Sequence, residues 1–125
     1  MTEEELQKTL DDFLVASERH DVFVEEFDGQ DVRLRFSLGP GERWTSAALL
    51  SLVDTSLRAA VGLDQVLSHL AVTVLRPAQD ADVIALSRVI RRDGGVAHAE
   101  AWLFSHAVVD PMIHATSSFA SPWPG

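Results

Sequence analysis

The 125-residue chain contains no cysteine. That excludes a disulfide framework and any zinc site built on thiolates, and it leaves the compartment loosely constrained. Basic residues are scarce, 10 against 19 acidic, for a formal net charge of −9. Such a surface repels phosphate backbones, so nucleic acid is not the expected partner. No apolar run approaches the roughly 18 residues that a bilayer span requires, so no membrane partner is expected either. The opening Met1-Thr2-Glu3-Glu4-Glu5 is acidic where a secretory leader would be basic, and a soluble cytoplasmic protein is the expectation. With 46% hydrophobic and 23% charged residues, the composition is that of a folded chain. The length fits a single domain over residues 1–125.

Residues 2–19 read as an amphipathic helix. Leu6, Leu10, Phe13 and Leu14 recur at spacings of three and four, and acidic residues fill the other positions. Thr2 and Glu5 have the spacing of a capping box. A hairpin follows. Asp21–Phe27 carries Val22, Phe23, Val24 and Phe27, Asp28-Gly29-Gln30 is a turn, and Val32, Leu34 and Phe36 alternate with Arg33, Arg35 and Ser37. Leu38-Gly39-Pro40-Gly41 breaks the pattern.

From Thr45 to Val61 there is neither glycine nor proline, and apolar residues surround almost the whole helical wheel. A helix apolar on most sides is a buried helix. Thr45 or Ser46 can cap its start, and Gly62 can end it. Only strand candidates come after it. Residues 69–76 place Leu70, Val72 and Val74 on one face and end at Arg76-Pro77. Residues 82–91 alternate less cleanly, and Asp93-Gly94-Gly95 is a turn. Residues 96–106 place Ala97, Ala99, Ala101 and Leu103 opposite His98, Glu100, Trp102, Phe104 and His106. Residues 112–119 close the set, and 122–125 form a Pro-rich tail. Four strands joined by short turns run antiparallel. A flat sheet covers one side of a helix only, so a curved sheet must wrap around it. The alanine row at 97–101 permits that close approach. The expected class is α+β.

Three stretches in this order resemble the hotdog-fold thioesterase superfamily, in particular its phenylacetate-pathway acyl-CoA thioesterase type. They are Thr45-Ser46-Ala47-Ala48-Leu49-Leu50-Ser51-Leu52-Val53-Asp54-Thr55, Leu70-Ala71-Val72-Thr73-Val74-Leu75-Arg76-Pro77-Ala78, and Val89-Ile90-Arg91-Arg92-Asp93-Gly94-Gly95-Val96-Ala97. The resemblance covers roughly residues 20–121. It implies a curved antiparallel sheet around one long helix, with subunits paired edge to edge as a homodimer or a dimer of dimers. It implies a small-molecule acyl-CoA thioester as substrate, with coenzyme A only as part of that substrate and with no metal or other cofactor. Where the family often carries His-Gly-Gly before the helix, this chain has Thr45-Ser46-Ala47.

Asp54 is the sharpest chemical signal. A carboxylate on the most apolar segment of a chain is paired, neutral or functional. The resemblance assigns it to attack on the thioester or to activation of water as general base. The amides of Ala47 and Ala48 would then hold the oxyanion, with Thr45, Ser46 and Thr55 touching substrate. Arg91 and Arg92 would bind the phosphates of coenzyme A. The structural alternative for Asp54 is an ion pair with Arg58, one turn on. Thr55 and Ser56 have their own alternative, bonding back to the preceding turn. The five histidines show no metal-ligand spacing, and Trp102 and Phe104 on the outer sheet face point to subunit association. Trp44 lines an acyl pocket or packs on the first helix. The rival to an enzyme is a non-catalytic hotdog domain that binds acyl-CoA or a related ligand.

Overall fold

The computed structural model describes residues 1–13, 22–105 and 109–122. The elements run α1 (Glu3–Phe13), β1 (Val22–Phe27), β2 (Asp31–Phe36), α2 (Ser46–Val61), β3 (Val66–Val74), β4 (Val83–Asp93), β5 (Val96–Ser105) and β6 (Pro111–Ala120). The order of elements is the one the periodicity predicts. The expected continuation of the first helix to residue 19, with Leu14, lies outside the described residues, as does His106.

All six strands join one antiparallel sheet in the order β1-β2-β4-β5-β6-β3. One detail departs from the sequence reading. β3 does not pair with β4, the next strand in the chain, but with β6. The break at Arg76-Pro77 opens a long connection over residues 75–82, and this carries the chain across the sheet to lay β4 beside β2. β3 is left at one edge and β1 at the other.

α2 is the centre about which the sheet bends. Leu52, Val53, Leu57, Ala59, Ala60 and Val61 are buried on it. The helix rests on β4 and β5, and then on β2 and β6. Facing it are Ala97, Ala99, Ala101 and Ala115, all buried, with Leu34, Phe36, Leu103 and Phe119 filling the wider gaps. Small side chains at the crossing let the helix axis approach the sheet, and large ones around it close the core. Gly62 ends the helix at φ 124°, a conformation a Cβ would strain, and its amide returns to the Arg58 carbonyl at 2.8 Å.

The first hairpin turns as expected. Asp28 Oδ1 accepts from the amides of Asp31 at 2.7 Å and Gln30 at 2.9 Å. These two donors hold its carboxyl below the usual carboxylate range. That contribution is present at neutral pH and is lost as the pH falls through the lowered value.

α1 does more than cover the core with Leu6 and Leu10. Its Gln7 side chain sits against the edge of β1. The Gln7 amide nitrogen donates to the Val22 carbonyl at 2.8 Å, and the Gln7 carbonyl accepts from the Val24 amide at 2.6 Å. One side chain thereby completes two backbone groups of an edge strand, as a neighbouring strand would. Gln7→Ala should destabilise the fold by about 1–3 kcal/mol, two net hydrogen bonds' worth, in urea unfolding; an unchanged midpoint would show that water replaces the pair without loss.

Candidate functional site

Asp54 lies in the third turn of α2, half-exposed, with Val53 and Leu57 buried beside it. Its direction follows from Arg58. Both Asp54 carboxylate oxygens accept from Arg58 Nε, each at 3.0 Å. Arg58 Nη1 donates to the carbonyl of Gln65 at 2.7 Å, just ahead of β3. The guanidinium carbon stands 5.3 Å from the Phe119 ring centroid on β6. Phe119 in turn pairs in register with Leu67 of β3. The Asp54–Arg58 side of α2 therefore faces the β6–β3 half of the sheet and its free edge. The ion pair named as the structural alternative does form. The Asp54 side chain nevertheless keeps 38% of its surface open, against 19% for Arg58.

At the front of the same helix, Thr45 is the N-cap. Its hydroxyl accepts from the Ala48 amide at 3.1 Å, and its carbonyl accepts from the Leu49 amide at 3.0 Å. The Ala48 amide, expected as an oxyanion donor, is thus engaged by the cap, because an extended Thr at this position offers its hydroxyl to the first turn. Ala47, the other expected donor, is exposed, as are Thr45 and Ser46. Ala47 and Asp54 are seven residues apart. That puts them on one face of the helix but about 10 Å apart along its axis.

The remaining expected site residues divide. Thr55 is 3% exposed and enclosed in the core, away from the open side of Asp54. Ser56 bonds back to the Leu52 carbonyl at 2.7 Å. Arg92 Nη2 donates to the Val61 carbonyl at 3.3 Å, so it reaches the C-terminal end of α2. Arg91 turns to Asp93 at 3.1 Å and stays exposed. Arg76 pairs with Asp110 at 3.6 Å. Trp44 is buried, and its indole nitrogen donates to the Ala81 carbonyl at 2.6 Å, anchoring the approach to α2 on the lead-in to β4.

The sheet face away from α2 holds a separate hollow of about 620 Å³, lined by Glu26, Arg33, Leu86, Arg88, Glu100 and Trp102 among others. Its two arginines are ion-paired, Arg33 with Glu25 and Arg88 with Glu100. On that face Trp102 stacks on His114 with ring centroids 3.9 Å apart, so part of the aromatic surface ascribed to subunit contact is covered within the chain. Among the described residues, no three His, Asp or Glu side chains stand close enough to hold a metal ion, and no helix is long and apolar enough to cross a membrane.

Solved structures of similar architecture include thioesterase superfamily member 2 from zebrafish, with a TM-score of 0.79 at 14% identity over 96% of this chain and 98% of that one. The same member from Mus musculus gives 0.78 at 11% identity, covering 94% and 96%. A phenylacetic acid degradation-related protein from Ralstonia eutropha JMP134 gives 0.67 at 18% identity, covering 79% and 83%. This is the hotdog fold. At such identities the likeness is one of fold. No family model matches the chain, and no curated protein matches it.

Sequence reasoning named Asp54 and its partner Arg58, and missed what holds Arg58 in turn. Gln65 contributes a backbone carbonyl, which leaves no mark in a sequence, and the Phe119 ring reads only as core. Thr45 was legible as a cap, yet its competition for the Ala48 amide shows only in the geometry. Thr45→Ala should cost about 1 kcal/mol of stability, whereas Thr45→Ser retains the cap; equal losses from both in chemical denaturation would contradict this account of the helix start.

Proposed function

We propose that the protein is a thioester hydrolase acting on small-molecule acyl-CoA, with Asp54 as the reacting carboxylate. The observation that carries this reading is the half-exposed Asp54 side chain beside buried Val53 and Leu57, bridged by an Arg58 that reaches the lead-in to β3. The names of the fold's neighbours support the reaction class. In the general-base form, Asp54 takes a proton from water as the water oxygen adds to the thioester carbon. The tetrahedral intermediate then expels the coenzyme A sulfur, which recovers the proton, leaving a free acid and a free thiol. In the nucleophilic form, Asp54 itself adds to the carbon, the C–S bond breaks to release the coenzyme A thiolate, and water cleaves the resulting anhydride to the free acid and the restored Asp54 carboxylate, its proton going to the thiolate.

The spacing along α2 favours a site shared by two copies. A reacting oxygen and an oxyanion donor must each lie about 3 Å from the same carbonyl group. Asp54 and the Ala47 amide of one chain are separated by about 10 Å of helix, and Arg58 draws the carboxylate toward the C-terminal turn. An Ala47 amide from a second copy can meet the carbonyl instead. The free edge supplies the means. Gln7 covers two backbone groups of β1, whereas β3 leaves Val66, Leu70 and Val74 exposed along nine residues of strand. Pairing of β3 with β3 of a second copy would cover this edge and place the two α2 helices across from each other. Arg91 and Arg92, at the β4–β5 turn beside the end of α2, are the donors for the phosphates of coenzyme A.

The cap on Ala48 favours a second reading, in which the same groove binds acyl-CoA without turning it over, because the N-terminal amides of α2 are already partly satisfied.

A panel of acyl-CoA thioesters with a thiol reagent separates the two. Release of free coenzyme A that drops at least about 100-fold in Asp54→Asn establishes hydrolysis. A raised Tm with acyl-CoA and no release establishes the binder, and neither effect excludes both. Ala71→Pro, in the middle of β3, should convert a dimer to a monomer in sedimentation equilibrium; wild-type protein that sediments as a monomer would remove the two-copy site.

A further inference from the structure

The guanidinium of Arg58 is held from three directions. An i,i+4 ion pair on a solvated helix is mobile and contributes only about 0.3–0.5 kcal/mol. Here Nε bridges both oxygens of Asp54, Nη1 is fixed to the Gln65 carbonyl, and the planar group lies against Phe119. Its side chain is four-fifths covered. These contacts come from three elements: α2 itself, the lead-in to β3, and β6. A guanidinium so fixed has one orientation, and the carboxylate it bridges takes its orientation from it.

We infer that Arg58 is a positioning residue for Asp54, an inference that rests on the hydrolase reading above. The side chain fixes the carboxylate on the β3 side of α2 and registers it against the edge strand through Gln65. Substrate and water would approach the oxygen lone pairs turned away from Nε. Arg58 itself need not touch the reacting atoms. Misplacement of a reacting group by about 1 Å costs on the order of 100-fold in rate. Loss of the bridge should therefore fall on kcat, because the coenzyme A contacts proposed at Arg91 and Arg92 lie on another element and are unchanged.

The test compares steady-state hydrolysis by wild type, Arg58→Gln, Arg58→Lys and Asp54→Asn, with thermal melts to confirm folding. Arg58→Gln should lower kcat by roughly 10- to 100-fold with KM within about threefold. Arg58→Lys keeps the charge and loses the planar fork, and its kcat should fall between the two. Adding Arg58→Gln to Asp54→Asn should cost no further rate, since the positioned group is already gone. If Arg58→Gln does not fold, Arg58→Lys carries the test, with a kcat loss of at least about fivefold expected. An unchanged kcat in the folded variants, or a loss confined to KM, overturns the assignment while the hydrolase reading stands. No hydrolysis by the wild type removes the hydrolase reading itself, and the role of Arg58 with it.

Discussion

The apolar residues of α2 must largely be taken out of water, and this constraint organises the molecule, with only the side that carries Ala47, Leu50 and Asp54 left open. α2 buries Leu52, Val53, Leu57, Ala59, Ala60 and Val61. At about 1.5–3 kcal/mol for each large side chain removed from water, the helix is stable only if the sheet bends around it. The bend requires small residues where helix and strands cross, and Ala97, Ala99, Ala101 and Ala115 meet that need. It also leaves two sheet edges, one on each flank of the helix. A side chain from α1 covers two backbone groups of the β1 edge, while β3 at the other edge leaves Val66, Leu70 and Val74 exposed.

The same constraint explains why one carboxylate is informative. α2 has little room for polar groups, and Asp54 and Arg58 stand one turn apart on the side where the sheet falls away. A charge at such a place is satisfied by its partner yet remains within reach of a molecule at the sheet edge. Asp54 is thus engaged and accessible at once. The capped first turn of α2 is a second feature of this kind: the Thr45 hydroxyl stabilises the helix and at the same time occupies the Ala48 amide.

Much of the fold was legible because it is set by local periodicity. The buried helix, the hairpin at Asp28-Gly29-Gln30 and the alternation on β5 all follow from side-chain spacing alone. β3 was legible as a strand but not as an edge. Leu70, Val72 and Val74 alternate as a half-buried strand would, yet Leu70 and Val74 are exposed, because pairing with β6 carries the strand past the helix. Long-range pairing of that kind is decided by the crossing segment 75–82, which has no periodicity to read. At the site, Asp54 was legible as a carboxylate out of place. Thr55 was not, since adjacent positions on a helix face different surroundings and sequence adjacency does not convey which of them is buried.

The central claim is that Asp54 of one chain meets a bound thioester at the free β3 edge. A crystal structure with an unhydrolysable acyl-CoA analogue, its sulfur replaced by a methylene group, addresses it most directly. The account predicts the analogue between two copies joined through β3, its carbonyl carbon about 3–3.5 Å from an Asp54 oxygen. An analogue seated instead in the hollow beside Leu86 and Trp102, or a carbonyl remote from Asp54, would contradict it.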